Sequence, residues 1–375
     1  MMSFVRQAMR LRAWQGACVA FLGGCLTPPG AKVTTLNAPI PAHPSANDPA
    51  RPTLEPSNGA GGRPPSPPGA DVPRPSAHVV APNLRVLPWA GFRAAVTFTF
   101  DDSQPSHIEH WPELRAAGVP MTFFVNPSDR WGDEDAATWR AVPAAGNEIG
   151  NHTRSHCRVD STGCLPNENA AEDIDRATAD ITSRLGANAV YSFAAPFGDT
   201  SWNRYAPSRF LVGRGISSGI VPPTGASDWY DLPCFPVEAG QGAAAFDAGI
   251  DRARSQHGWI IFMFHSLLPT AANWYAGVET AGVTASFAYG KSRSDVWMDT
   301  MAAIGAYARG QQLLERATPT DNHWTWTLPA HFPPGRIVRV TIDGGALSQE
   351  TRPLAWDAHG YYEVALDAGT LAWKP

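Results

Sequence analysis

The sequence predicts an α/β fold built on a parallel sheet of βα units, open or closed into a barrel. Three observations carry this. Short runs dense in β-branched and aromatic residues recur along the middle of the chain, beginning with Val96-Thr97-Phe98-Thr99-Phe100. Segments with apolar or small residues at helical spacing lie between them. Acidic residues and histidines stand directly after several of the runs, where open sheets and barrels gather functional groups.

Further strands are expected at Met121 to Val125, Ala189 to Phe193 and Trp259 to Phe264, and helices over Asn167 to Leu185 and Gly242 to Arg254. Asp295 to Arg309 reads as a last helix. Beyond it the texture changes. Trp324-Thr325-Trp326-Thr327, Arg336 to Ile342 before Asp343-Gly344-Gly345, and Tyr361 to Leu366 read as strands separated by turn residues, so residues 314–375 are expected to form a small β-rich extension.

Before the first strand lie two segments of other kinds. Arg6, Arg10 and Arg12 precede a short apolar run from Ala13 to Gly24, which predicts an export signal over residues 1–25. Its end, Leu22-Gly23-Gly24-Cys25, resembles a bacterial lipoprotein cleavage box, so Cys25 is expected to carry a lipid and to be the chain's one link to a membrane. The protein is then exported to the cell envelope, lipid-anchored or otherwise periplasmic or secreted. Residues 26–90 hold 16 of the 35 prolines, and Leu26 to Val79 contains no Phe, Trp or Tyr. Such a stretch buries too little apolar surface to offset its ordering entropy, so residues 26–83 are expected to be a disordered tether. The globular domain is expected over residues 84–313.

A net charge of −5, with no cluster of Lys and Arg facing aromatic residues, excludes the basic field that nucleic-acid binding needs. Of the 5 cysteines, Cys18 leaves with the signal. Cys157 and Cys164 are close enough to close a small disulfide loop in an exported protein, which leaves Cys234 as a buried thiol.

The chemistry concentrates in four places. Asp101-Asp102 follows the first strand, where neighbouring carboxylates repel unless a cation relieves them. One is then a ligand and the other is free to act as a base; a turn or helix cap is the ordinary alternative. His152-Thr153-Arg154-Ser155-His156 presents two imidazoles to one point if the backbone is helical or tightly turned. With one carboxylate they make a facial triad with open positions. His265 ends the apolar strand from Trp259 and could be a general acid or a capped core histidine. Ala194-Ala195-Pro196-Phe197-Gly198 brings backbone close to whatever fills the site, either as an oxyanion donor or as an ordinary tight turn.

In this order the segments resemble the polysaccharide deacetylases of carbohydrate esterase family four, the NodB-homology domain, over about residues 84–310. The family's T-F-D-D is Thr99-Phe100-Asp101-Asp102, its H-(S/T)-x-x-H runs from His152 to His156, its R-x-P-(F/Y) corresponds to Ala194-Ala195-Pro196-Phe197, and its last motif ends in His265. The resemblance implies a distorted (β/α) barrel with one divalent cation, zinc or cobalt. It implies that Asp102, His152 and His156 are the metal ligands, Asp101 the base, His265 the acid, and the Phe197 N–H an oxyanion donor. Asp228 or Asp231 is expected as the partner of His265, and Trp229 as a wall of the acetyl pocket. Ala194 departs from the family, which carries an arginine there to orient the base. The expected activity is removal of acetyl groups from N-acetylated envelope or extracellular polysaccharide. O-deacetylation of an acetylxylan-like glycan and non-catalytic glycan binding are the alternatives.

Overall fold

The structure is a computed structural model describing residues 63–76, 79, 81–127, 133–165 and 169–375. The expected export signal, Cys18 and Cys25 lie outside the described residues. Among the described residues no helix is long and apolar enough to cross a membrane.

Seven parallel strands close into a barrel: β1 (Ala94–Phe100), β2 (Thr122–Val125), β3 (Glu148–Asn151), β4 (Ser192–Ala194), β5 (Val212–Ser218), β6 (Leu232–Pro236) and β7 (Trp259–Phe264). Closure comes from β1 against β7, paired in register from Ala95–Trp259 to Phe100–Phe264. A short parallel strand, β8 (Val296–Met298), pairs with the first three residues of β1, while β2 pairs with its last two on the same edge. The sequence reading extended the last helix over Asp295 to Met298. The apolar triplet Val296-Trp297-Met298 instead joins the barrel edge, and the helix begins only after Thr300, whose side chain caps it by accepting from the Ala303 N–H.

Strands β5 and β6 were not anticipated. Their sequences, Val-Gly-Arg-Gly-Ile-Ser-Ser and Leu-Pro-Cys-Phe-Pro, lack the β-branched and aromatic density that marks the others. Close approach selects their small residues. A Cβ on Gly213 would lie 2.8 Å from the Tyr230 carbonyl oxygen, and one on Gly215 would collide with Asp231 Oδ1.

Alternation along the strands sorts side chains between barrel and helices. Val96, Phe98 and Phe100 face the helical layer, where Phe98 stacks on Phe262 at 5.1 Å and meets Phe287 edge-on at 4.6 Å. The longer helices are α1 (Asp133–Ala144), α2 (Ala170–Leu185), α3 (Ala243–Gln256), α4 (Thr280–Lys291) and α5 (Met301–Arg316). Helix α2 shows why the sequence makes them: Ile174, Ala177, Ile181 and Leu185 form its buried stripe, Asn169 caps its start and Gly186 ends it at φ 71°.

Helix α5 plugs the amino end of the barrel. The Met301 and Ala302 N–H groups donate to Thr122 Oγ1 and Glu148 Oε2, placing the first turn on a buried carboxylate as its dipole favours. Burial raises the Glu148 pKa even so. The carboxyl end stays open.

Past α5 the chain turns to antiparallel strands. They lie in two four-stranded antiparallel sheets containing β9 (His323–Thr325), β10 (Ile337–Thr341), β11 (Ala346–Gln349), β12 (Tyr361–Ala365) and β13 (Thr370–Lys374). These sheets also take up residues assigned elsewhere by sequence. Arg85–Val86 pairs with β10. Residues 63–76, read as part of the tether, are held along the sheets: Arg339 donates to the Pro64 and Pro65 carbonyls, Trp356 Nε1 donates to the Val72 carbonyl, and Arg63 pairs with Glu363. A proline-rich segment suits this role because its backbone lacks many N–H donors and is stiff before it binds.

Candidate active site

The strand ends at the open mouth of the barrel bring the expected residues together. Leaving β1, Asp102 and Ser103 both take positive φ, 75° and 50°, which turns two successive side chains into one space instead of onto opposite faces. Leaving β3, Thr153 and His156 are also at positive φ, 61° and 53°. The histidine motif is therefore a tight turn and not a helix. Phe197, after β4, is at 57°. Left-handed backbone at so many non-glycine residues is costly, and such strain gathers at functional sites.

The strained loops are tied to one another. The Asn126 side chain donates to the carbonyls of His152 and Thr153, while its own N–H donates to Ser103 Oγ at 2.7 Å. The Arg154 and Ser155 N–H groups donate to Asp173 Oδ2 in the first turn of α2. Immediately after His156, Cys157 forms a disulfide with Cys164, as the sequence allowed. Cys234 is a buried free thiol whose pKa is pushed up to about 11 by burial.

At the centre, Asp102 Oδ1 lies 3.1 Å from His152 Nε2 and 3.0 Å from His156 Nε2. Burial works against an ionised Asp102, but hydrogen bonds to the two imidazoles and their charge hold its pKa well below the usual carboxylate range. Burial likewise disfavours a charged His152, yet Asp102 raises its pKa overall. His152 Nδ1 donates to the Ala194 carbonyl at 2.7 Å, which turns Nε2 inward toward Asp102.

These three residues are the one group among the described residues with the donors and spacing to hold a metal ion. The residues fit a divalent cation. Two imidazoles and a carboxylate suit zinc and its neighbours, spacings near 3 Å are those of adjacent ligands with bonds of about 2.0–2.2 Å, and the second nitrogen of His152 is occupied as such ligands require.

Asp101 is held on the other side of the site. Its Oδ2 forms a buried ion pair with Arg214 on β5, which is 2% exposed, while its buried Oδ1 has no hydrogen-bond partner among the described residues. Arg214 also lies over the Phe124 ring and donates to the Gly215 carbonyl. This arginine supplies what Ala194 lacks. Ala194 and Arg214 are paired in register on adjacent strands, so the guanidinium reaches the same carboxylate from one strand further round the barrel. A charged residue inside the run Leu-Val-Gly-Arg-Gly-Ile was the signal available in the sequence.

His265 leaves β7 with Nε2 3.8 Å from Asp102 Oδ2, and Tyr275 stands edge-on to its ring at 4.7 Å. Burial lowers its pKa, against the pull of Asp101 and Asp102. Its Nδ1 is buried without a hydrogen-bond partner among the described residues. The expected partners do not supply one. Asp228 is exposed and accepts from the Tyr230 N–H, and Asp231 sits against Gly215. Nor does Trp229 form a wall of the cleft: its indole donates to Gln312 of α5 at 3.0 Å, in the core beneath the barrel. The D-W dipeptide precedes β6 and so lies at the barrel's amino end, away from the mouth.

The cleft over these residues has a volume of about 930 Å³. Phe197, Ile216, Met263, Trp274 and Tyr275 supply apolar surface around its floor of aspartates and histidines.

Residues 92–208 match the family model described as polysaccharide deacetylase. This segment is similar to a polysaccharide deacetylase domain. Among solved structures the chain is similar to a protein from Mycobacterium smegmatis titled as a polysaccharide deacetylase, at 17% identity, covering 70% of this chain and 99% of that one with a TM-score of 0.44. It is also similar to a family 4 acetyl xylan esterase from Clostridium thermocellum in complex with cobalt, at 19% identity over 55% and 98% of the two chains with a TM-score of 0.32. A peptidoglycan deacetylase from Bacillus subtilis matches at 16% identity over 59% and 94%, with a TM-score of 0.36. Asp101, Asp102, His152 and His156 lie within the matched segment, while Arg214 and His265 lie beyond it.

Proposed function

We infer that the protein is a metal-dependent hydrolase that removes acetyl groups from an N-acetylated envelope or extracellular polysaccharide. The observation that carries this reading is the division of labour between two adjacent aspartates. Asp102 faces two imidazoles and Asp101 faces a guanidinium, so one is committed to a cation and the other keeps a free oxygen.

Asp102, His152 and His156 would hold the ion, with zinc the expected metal and cobalt an alternative. A divalent cation there supplies Lewis acidity toward a carbonyl oxygen and toward water. Asp101 Oδ1 takes the proton from water as its oxygen bonds to the acetyl carbon, with Arg214 fixing the carboxylate through Oδ2. The N–H of Phe197 would donate to the oxygen that gains charge. His265 gives a proton to the departing nitrogen; an imidazolium of lowered pKa is the stronger acid for that transfer. The carbon–nitrogen bond breaks, and acetate and a free amine leave.

The reading also takes the protein as exported and lipid-anchored at Cys25, supported by the N-terminal sequence. Acetate release from N-acetylglucosamine oligomers, peptidoglycan and acetylxylan, measured beside Asp101→Asn and His152→Ala, tests the function. Release from the amide substrates, lost in both variants, is expected. Release confined to acetylxylan would replace amide by ester hydrolysis, and metal binding without release from any of them would favour a glycan-binding role.

A further inference from the structure

Residues 63–68 read Arg-Pro-Pro-Ser-Pro-Pro, and their burial repeats every third residue. Pro64 and Pro67 are buried, while Arg63, Pro65, Ser66 and Pro68 are exposed. Three residues per turn is the repeat of the polyproline II helix, whose residues i and i+3 share one face. That face lies in a groove whose side chains come mostly from the opposite end of the chain.

The groove reads both backbone and side chains. Arg339 on β10 and Glu363 on β12 are paired in register. Arg339 is 2% exposed, and its guanidinium donates to the Pro64 and Pro65 carbonyls at 2.7 Å and to that of Ala90 at 2.9 Å. Bonds from a buried cation to carbonyls are strong ones, and a proline pair offers such carbonyls with no N–H beside them. Pro67 fits against Gly91, where a Cβ would press on its ring at 3.1 Å. Arg63 pairs with Glu363 at 2.8 Å. Further along, the Val72 N–H donates to the Ala358 carbonyl, and the Val72 carbonyl accepts from Trp356 Nε1. Tyr307 of α5 fixes where the groove stands: its hydroxyl donates to the Leu87 carbonyl and accepts from the Arg339 N–H. Since α5 plugs the amino end of the barrel, the groove is on the side away from the catalytic mouth.

We propose that the antiparallel sheets past α5 form a recognition site for a basic proline-rich segment, R-P-P-x-P, and that its occupant is the chain's own residues 63–68. The sheets then fasten the proline-rich stretch to the domain and leave the mouth clear. Affinity comes from the two buried rings and the Arg339 bonds. The Arg63–Glu363 pair is largely exposed and adds little affinity, but a charge at one end gives a nearly symmetric helix a direction. The proposal does not depend on the deacetylase reading.

The test uses a fluorescently labelled synthetic peptide of residues 63–76 and the full chain carrying Pro64→Ala and Pro67→Ala, which weakens the chain's own segment. By fluorescence anisotropy, this variant is expected to bind the peptide at least about tenfold more tightly than the unmodified protein, whose segment competes at the high effective concentration of a short connection. A peptide with both prolines replaced by alanine is expected to bind the variant at least about tenfold more weakly, and one with Arg63→Ala within about threefold. Hydrogen exchange of the unmodified protein needs no variant: the Val72 amide is expected to exchange at least about tenfold more slowly than in the free peptide. Equal binding of the peptide and its alanine form, equal binding by the variant and the unmodified protein, or a Val72 amide that exchanges at the free-peptide rate would overturn the proposal. An unmodified protein that is dimeric while the variant is monomeric would give the groove to a second copy and overturn the occupant named here.

Discussion

Arg214 reaches the Asp101 carboxylate from the strand next to the one where the family's arginine is expected, and its register partner on that strand is Ala194. The orienting charge has moved by one strand while its target has stayed in place. Burial by itself would lower the Arg214 pKa, but Asp101 raises it overall, so the guanidinium stays charged inside the barrel.

Arg214→Ala is expected to lower kcat by on the order of 10²-fold, because the base loses its orientation. It should also destabilise the fold by about 3–5 kcal/mol, since a buried carboxylate is left without its partner. Arg214→Lys should recover stability in part and much less of kcat, as an ammonium cannot reproduce the planar fork. Steady-state kinetics beside chemical denaturation check this. Equal recovery of both would remove the positioning role.

Metal affinity should rise with pH. His152 has a raised pKa in the metal-free protein, through Asp102, so a proton competes with the cation for Nε2. The sign follows from that direction. Below the pKa the ion must displace the proton and apparent affinity falls by about tenfold per pH unit; above it the dependence flattens. For the metal-free protein, the stability from this pair is present below the unfolded imidazole pKa of about 6.5 and is lost as pH rises through the raised folded value. Zinc titrations between pH 5 and 8, in buffers of differing ionisation heat, measure both affinity and proton release. No proton release would contradict the reading.

Asn126 is expected to matter for metal binding although it is no ligand. Its amide joins the two ligand-bearing loops by donating to the His152 and Thr153 carbonyls. Asn126→Ala should weaken zinc binding about 10–100-fold, the usual consequence of losing a group that orients ligands. Competition against a chromogenic chelator measures it, and an unchanged affinity would show the loops to be held by other contacts.

The Cys157–Cys164 bridge should stabilise the protein by about 2–3 kcal/mol, from the entropy of closing a short loop. Because His156 precedes Cys157, the double Cys→Ser variant should also bind zinc more weakly. Denaturant midpoints with and without reductant report the first effect and zinc titration the second. A stability loss with unchanged zinc affinity would confine the bridge to the fold.

Much of this was legible in the sequence because the motifs sit where the backbone physics is simple. Dense apolar strands such as Trp259–Phe264 announce themselves, and the acidic and imidazole groups follow directly at their ends. The features that escaped are those set by distant chain. Strands β5 and β6 are shaped by close approach at Gly213 and Gly215, which a local propensity does not register. Arg214 gains its meaning only from a register pairing. Trp229 was placed in the cleft by its neighbour in sequence, yet it lies in the core against α5. Residues 63–76 looked unable to order because they bury little surface of their own; Arg339 and Trp356, almost three hundred residues on, supply the contacts.

The central claim is that Asp102, His152 and His156 hold a cation on which hydrolysis by Asp101 and His265 depends. Its most direct test is acetate release from the N-acetylglucosamine hexamer by protein stripped with a chelator and then titrated with zinc. The account predicts negligible release before zinc, recovery that saturates at one equivalent, and no recovery in His152→Ala or His156→Ala. Full release by the stripped protein, or equal recovery in the histidine variants, would contradict it.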